Sequence, residues 1–396
     1  MKYKNGINTI LIKNTDIKYW ICSVLLFMMS YPKWMWNVDI RIGMTAFSLV
    51  LLLLALKDIT KVKYSVLSVI AFFLQFYILW VYFDVGVQNS NGVLMLLLTW
   101  LGFAPIFLCS STFWRRTMDC FVTLLGVLLA LAIAEHLLYT FIGVQLVSAK
   151  GLYCPINPDR PYDVFLFTVY LSDTAVFDFV KRFFAFYNEP GELGSFMVAL
   201  LFWQRYNFKK WYNIVFLISG LLSFSLAFYI ALIAWYIIFG KRRSKIVFGL
   251  IASLAVIFFY KNEILYSFIF GRIQFEGGSL SGYNRENYIF SDWFNYIGLD
   301  EYFLHGYSDR IKMEYSASWK WALVCWGVVP LFVYYVTLLL SMINSRTRNN
   351  KDTVIAVSLM VIFFIQRPFL YLFFYLLMMI LPLKCPMKEI SQIKHL

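Results

Sequence analysis

Apolar runs of membrane-spanning length follow one another along most of this chain, and they leave it very few folds to choose from. They fall at roughly 19 to 36, 41 to 57, 64 to 83, 92 to 110 and 119 to 143, and again at about 190 to 205, 212 to 240, 245 to 261, 318 to 342 and 353 to 383. A hydrocarbon core of about 30 Å needs roughly 20 apolar residues of helix, so each run is read as one span or a hairpin of two. Strand-like alternation is absent, so helices are expected to satisfy the backbone. With 61% hydrophobic residues, 14% charged residues and a mean hydropathy of +0.68, the chain has too little polar surface for a water-soluble fold.

Two runs carry internal breaks. Ser223-Phe224-Ser225 lies near the middle of 212 to 240, and Gln366-Arg367-Pro368 interrupts 353 to 383. A proline beside a charge in mid-run reads as a hairpin tip at one membrane face. Counting both as short hairpins predicts an all-α integral membrane protein of about 12 transmembrane helices, a single polytopic domain over residues 1–396.

Charge gives the expected orientation, because cytoplasmic loops collect Lys and Arg. With both termini inside, the inner segments hold Lys2, Lys4, Lys13 and Lys18, then Lys57, Lys61, Lys63, Arg115, Arg116, Arg205, Lys209, Lys210, the cluster 241–245, Arg346, Arg348, Lys351 and the basic tail. That is most of the 35 basic residues, and few acids accompany them. The net charge of +13 is thus explained by topology, and no nucleic-acid partner is inferred from it. The first run is followed by Tyr31-Pro32-Lys33-Trp34 rather than by a small-residue cleavage site, which predicts an uncleaved first helix.

Two large polar segments, about 144–189 and 262–317, then face the outside of the membrane. The inner loops are too short to house a nucleotide-binding domain. Six cysteines and three histidines (His136, His305, His395) are scattered without a C-x-x-C or a His/Cys cluster, so neither a disulfide framework nor a metal site is expected. Glu135 and His136 sit near the outer end of the fifth run. Ionisable residues at that depth are functional candidates by default, or they bond each other or face the interface.

The most informative stretch runs from Lys181-Arg182-Phe183-Phe184 to Glu189-Pro190-Gly191-Glu192-Leu193-Gly194-Ser195. Pro190 predicts a helix start, and Glu192 in the first turn suits the helix dipole. The stretch resembles the signature of the O-antigen polymerase and O-antigen ligase-related membrane glycosyltransferases. The later loop extends the resemblance with Ser281-Gly282-Tyr283-Asn284-Arg285-Glu286, leading to Leu304-His305-Gly306-Tyr307. The resemblance covers about 180 to 345 by motif and the remainder by topology.

It implies inverting transfer of a glycan from undecaprenyl diphosphate to an acceptor hydroxyl, without metal or cofactor. Guanidinium suits a diphosphate leaving group, since it stays charged and presents a fork of donors. Arg182 and Arg285 are the expected diphosphate ligands, with Arg272 as a third and Glu192 as a further substrate contact. Glu189 and His305 are the candidates for taking the acceptor proton. The expected partners are lipid-linked glycans, the bilayer and a chain-length regulator. Where the ligase branch carries a His-Asn-like element, this chain reads Lys312-Met313-Glu314-Tyr315, which favours a polymerase of O-antigen, capsule or exopolysaccharide repeats. A ligase or a lipid-linked oligosaccharide flippase are the alternatives.

Overall fold

The computed structural model describes residues 14–60, 65–84, 91–144, 146, 149–154, 157–171, 182–239, 275–276, 279–280, 323, 326–343, 350–366 and 372–385. It is mostly helical. The helices are α1 (Asn14–Met29), α2 (Ile40–Ile59), α3 (Val66–Asp84), α4 (Asn91–Gly102), α5 (Ala104–Leu108), α6 (Ser111–Leu137), α7 (Pro190–Trp203), α8 (Trp211–Leu222), α9 (Leu226–Phe239), α10 (Val328–Ile343), α11 (Asn350–Gln366) and α12 (Phe373–Lys384).

Local chemistry sets the breaks between them. Asp39 caps α2 by accepting from the Arg41 and Ile42 amides at 2.8 and 3.3 Å. Ser110 caps α6 by accepting from the Phe113 amide at 3.1 Å. The run at 92 to 110 is two helices, broken at Phe103 just ahead of Pro105. Both expected hairpin breaks are present: α8 stops at Leu222 and α9 begins at Leu226, while α11 ends at Gln366 and α12 starts at Phe373. Phe224 adopts a left-handed conformation (φ 49°) to make the first turn that tight. Gly220 allows it, because a Cβ there would stand 2.1 Å from the Phe228 ring.

Contacts at the helix termini define two ends of the bundle. At one end Lys18 pairs with Asp58, Arg205 with Asp352 at 2.8 Å, Trp203 Nε1 donates to the Cys385 carbonyl at 2.8 Å, and Lys384 donates to the Phe107 carbonyl at 3.0 Å. This basic end gathers the starts of α1, α6 and α11 and the finishes of α2, α7 and α12. The opposite end carries the α1–α2 turn, the end of α6, the start of α7 and the α8–α9 turn.

Helices α7 and α12 form the axis. Both are apolar around their circumference and almost wholly buried. Phe196 of α7 meets Phe374 of α12 edge-on, with ring centroids 4.9 Å apart. The outer helices turn apolar side chains outward as well as inward: Leu53, Val66, Phe73, Ile237 and Phe332 are all more than half exposed. Among the described residues, two helical stretches, Ile40–Ile59 and Ser111–Ile142, are long and apolar enough to cross a membrane by length and composition. At a rise of about 1.5 Å per residue, α8 and α9 are each shorter than a full crossing.

The first polar segment is not the featureless loop that its composition suggests. It carries an antiparallel sheet in the order β1 (Ala149–Cys154), β2 (Asn157–Val164), β3 (Val169–Leu171), with Leu152 opposite Tyr162 and Val164 opposite Val169. Tyr31, Met35, Trp36, Cys154, Tyr162, Val169, Leu171 and Phe184 form a small second core between this sheet and the bundle end. A further pair, β4 (Phe275–Glu276) and β5 (Ser279–Leu280), lies in the later segment. The expected span at 245 to 261 lies outside the described residues.

Candidate functional site

Segment 182–189 has no regular secondary structure, yet it is tightly held. The Phe183 amide donates to the Leu222 carbonyl at 3.1 Å, the Val169 amide to the Ala185 carbonyl at 2.8 Å, and the Lys33 amide to the Phe186 carbonyl at 2.8 Å. These bonds tie it to the end of α8, strand β3 and the α1–α2 turn, and the Tyr162 hydroxyl of β2 donates to the Asn188 carbonyl at 3.0 Å. Ala185 takes a left-handed φ of 47°, and Tyr31 and Phe224 at the same end take φ of 57° and 49°. Left-handed backbone at non-glycine residues persists only where surrounding contacts enforce it.

Arg182 caps the C-terminus of α8. Its Nε donates to the Ser223 carbonyl at 3.4 Å and its Nη2 to the Phe224 carbonyl at 3.3 Å. Carbonyls at a helix C-terminus carry partial negative charge, so they help hold the guanidinium in place.

Helix α7 begins at Pro190, as expected, with Glu189 at the N-cap in extended conformation. The Glu189 carboxylate does not cap the helix, while its carbonyl accepts from the Glu192 amide at 3.1 Å. Glu192 is only 6% exposed and accepts a 2.6 Å hydrogen bond from the Tyr375 hydroxyl of α12. Gly194 lets the first turn of α7 press against the α8–α9 turn, since a Cβ there would stand 2.5 Å from Ser225 Cβ. Arg182 and the first turn of α7 therefore meet the same turn, 223–225, from two sides. The structure brings Arg182, Glu189 and Glu192 to one end of the bundle. Arg272, Arg285 and His305 lie outside the described residues.

Glu135 and His136 do not bond each other. Glu135 reaches the β2–β3 turn, accepting from the Leu166 amide at 3.0 Å, the Phe167 amide at 2.8 Å and the Thr168 hydroxyl at 2.9 Å. His136 Nδ1 bonds the Tyr170 hydroxyl at 2.7 Å. Both side chains anchor the sheet to α6.

Sequence reasoning did not single out Lys33, whose ammonium is buried and donates to the carbonyls of Phe165 and Thr168, the latter at 3.2 Å. Lys33 and Glu135 grip the same β2–β3 turn, one by its carbonyls and the other by its amides. Burial pushes the Lys33 ammonium down to about 8, against the opposing attraction of Glu135. Burial likewise raises the Tyr31, Tyr170 and Tyr187 phenols, so all three remain protonated. The signal that could have marked Lys33 was a lone lysine between apolar residues just after a span. Tyr375, one of 27 tyrosines, had no such signal.

Among the described residues no His, Cys, Asp and Glu side chains group as a metal site. Comparison with protein families, with characterised proteins and with solved structures finds no match to this chain.

Proposed function

We propose that this protein is a polymerase of undecaprenyl-diphosphate-linked oligosaccharide repeats, embedded in a bacterial inner membrane and working at its periplasmic face. The observation that carries the reading is the convergence of Arg182 and the start of α7 on the α8–α9 turn, at one end of a bundle whose outer surface is apolar. The stretch resembling the glycosyltransferase signature folds at one end of the bundle, with Arg182 on the α8–α9 turn and Glu192 bonded to Tyr375 of α12.

The apolar exterior supports a lipid environment, since a surface this rich in exposed aliphatic side chains is costly in water. The basic end supports the cytoplasmic assignment, leaving the sheet and segment 182–189 on the periplasmic side. The described helices are compatible with many spans, and a count of 12 remains part of the proposal.

In this reading the lipid-linked donor lies with its diphosphate near Arg182 and its polyprenyl tail in the bilayer. The acceptor hydroxyl attacks the anomeric carbon from the face opposite the leaving group. The bond from that carbon to the diphosphate oxygen breaks with its electron pair, a glycosidic bond forms, and the configuration inverts. Guanidinium charge from Arg182, and from Arg285 and Arg272 by the family resemblance, stabilises the departing diphosphate. The acceptor proton passes to Glu189, at the N-cap of α7, or to His305. No cofactor enters these steps.

The test is the surface-glycan ladder of a deletion strain complemented with wild type, Arg182→Ala, Arg182→Lys or Arg285→Ala at matched membrane levels. A single repeat unit in the deletion strain, unrestored by either alanine variant, supports the reading. A surface without any repeat favours a ligase or flippase. Normal ladders from both alanine variants overturn the site.

A further inference from the structure

Tyr375 opens α12 and Glu192 opens α7, 183 residues away, and their side chains meet at 2.6 Å. Both residues are buried at the junction of the two axial helices. The Tyr375 ring is fixed between Phe196 at 5.2 Å and Phe363 at 5.6 Å between centroids, so the hydroxyl has little freedom to turn elsewhere. On the other side, Tyr187 packs edge-on against Phe196 at 5.2 Å and shares a 3.2 Å hydrogen bond with Ser30. Glu192 thus meets α12 through a tyrosine that is itself held by aromatic side chains of α7 and α11.

A carboxylate in such surroundings must be hydrogen-bonded. Phenol donation is well suited, because a hydroxyl donating to a carboxylate oxygen makes a short hydrogen bond. The bond also fixes the rotation of α7 about its axis. Glu192 is three residues from Glu189 and two from Gly194, so a rotation that broke this bond would also move the N-cap and the face against the α8–α9 turn.

Resting on the polymerase reading above, we propose that Tyr375 is a positioning residue for glycosyl transfer, acting through Glu192 to hold the first turn of α7 in register with Arg182 and Glu189. The last helix then contributes to the site without touching substrate.

The test uses the full-length protein purified in detergent, with lipid-linked repeat unit extracted from the deletion strain as substrate. The variants are Tyr375→Phe, Glu192→Gln, their combination, and Trp114→Phe. The last removes a buried hydrogen bond at the basic end, where Trp114 Nε1 donates to the Pro105 carbonyl at 3.1 Å. Tyr375→Phe keeps the ring and is expected to lower kcat about tenfold with KM unchanged. The combined variant is expected to be no slower than Glu192→Gln alone, and Trp114→Phe to lower the melting temperature without moving kcat.

Wild-type kcat in Tyr375→Phe overturns the proposal. So does a kcat loss that adds fully to that of Glu192→Gln, or one that Trp114→Phe reproduces at equal melting temperature. If wild type neither turns over the substrate nor restores a ladder, the polymerase reading itself fails and takes this role with it. The two failures are distinguished by the wild-type control.

Discussion

Replacing Glu135 with alanine should release the β1–β2–β3 sheet from the bundle while leaving the helices folded. The carboxylate is 2% exposed and accepts three hydrogen bonds from the β2–β3 turn. The Thr168 hydroxyl can rotate toward another acceptor, but the Leu166 and Phe167 amides cannot. Each orphaned amide costs about 1–3 kcal/mol, toward the low end here because both bonds are only partly buried, so docking should weaken by about 2–4 kcal/mol. The buried Lys33 loses its carboxylate neighbour in the same step. Hydrogen exchange by mass spectrometry on the detergent-purified protein reads the effect directly: 2 kcal/mol corresponds to a loss of protection of about 30-fold. That loss is expected in peptides covering 165–170, with α7 and α12 unchanged. Glu135→Gln keeps the volume and one acceptor oxygen and should lose about half as much. Unchanged exchange at Leu166 and Phe167 in Glu135→Ala would show that the carboxylate does not anchor the turn.

Three further outcomes follow from other contacts. Lys33 titrates at about 8 in the folded protein against a reference of 10.5, so between those values the unfolded chain holds a proton that the folded one has released. Stability should therefore rise with pH from about 8 to 10.5, by up to about 3 kcal/mol, and be flat below that window. Lys33→Met should abolish the rise in denaturation measured across it. Gly194→Ala places a Cβ 2.5 Å from Ser225 Cβ, and forcing the α8–α9 turn away from α7 should cost about 1–3 kcal/mol in thermal unfolding and reduce the glycan ladder. At the basic end, Arg205→Ala removes the 2.8 Å partner of buried Asp352 and should destabilise by about 3–5 kcal/mol. Asp352→Asn added to it should recover part of that loss, as a double-mutant cycle of melting curves will show.

The features legible in the sequence were those written in local chemistry. Ser223-Phe224-Ser225 marked the α8–α9 turn, Pro190 marked the start of α7, and Gln366-Arg367-Pro368 marked the end of α11. Apolarity alone misplaced other boundaries. The run to Trp36 reads as one span, but α1 ends at Met29 because Tyr31 turns left-handed and Pro32 withholds an amide. Arg115 and Arg116 read as a connector, yet they belong to the first turns of α6, whose start Ser110 fixes. The sheet at 149–171 escaped notice because Gly151, Pro158 and Pro161 interrupt any alternation and its pairing with β1 shifts register twice. Nor could the partners of Glu135 be read, since they lie 31 to 33 residues downstream.

The same limit applies to the candidate site, for a physical reason. An irregular segment in an apolar bundle persists only if its amides and carbonyls find partners outside itself. For 182–189 those partners include the Leu222 carbonyl, the Val169 amide and the Lys33 amide, each from a different part of the chain. The motif supplies Arg182 and the two carboxylates, but α8, β3 and the α1–α2 turn set the path that orients them. Residue types in a short stretch can therefore point to a chemistry. The geometry that would carry it out is distributed over elements as distant as Lys33 and Tyr375, and only the folded chain brings them together.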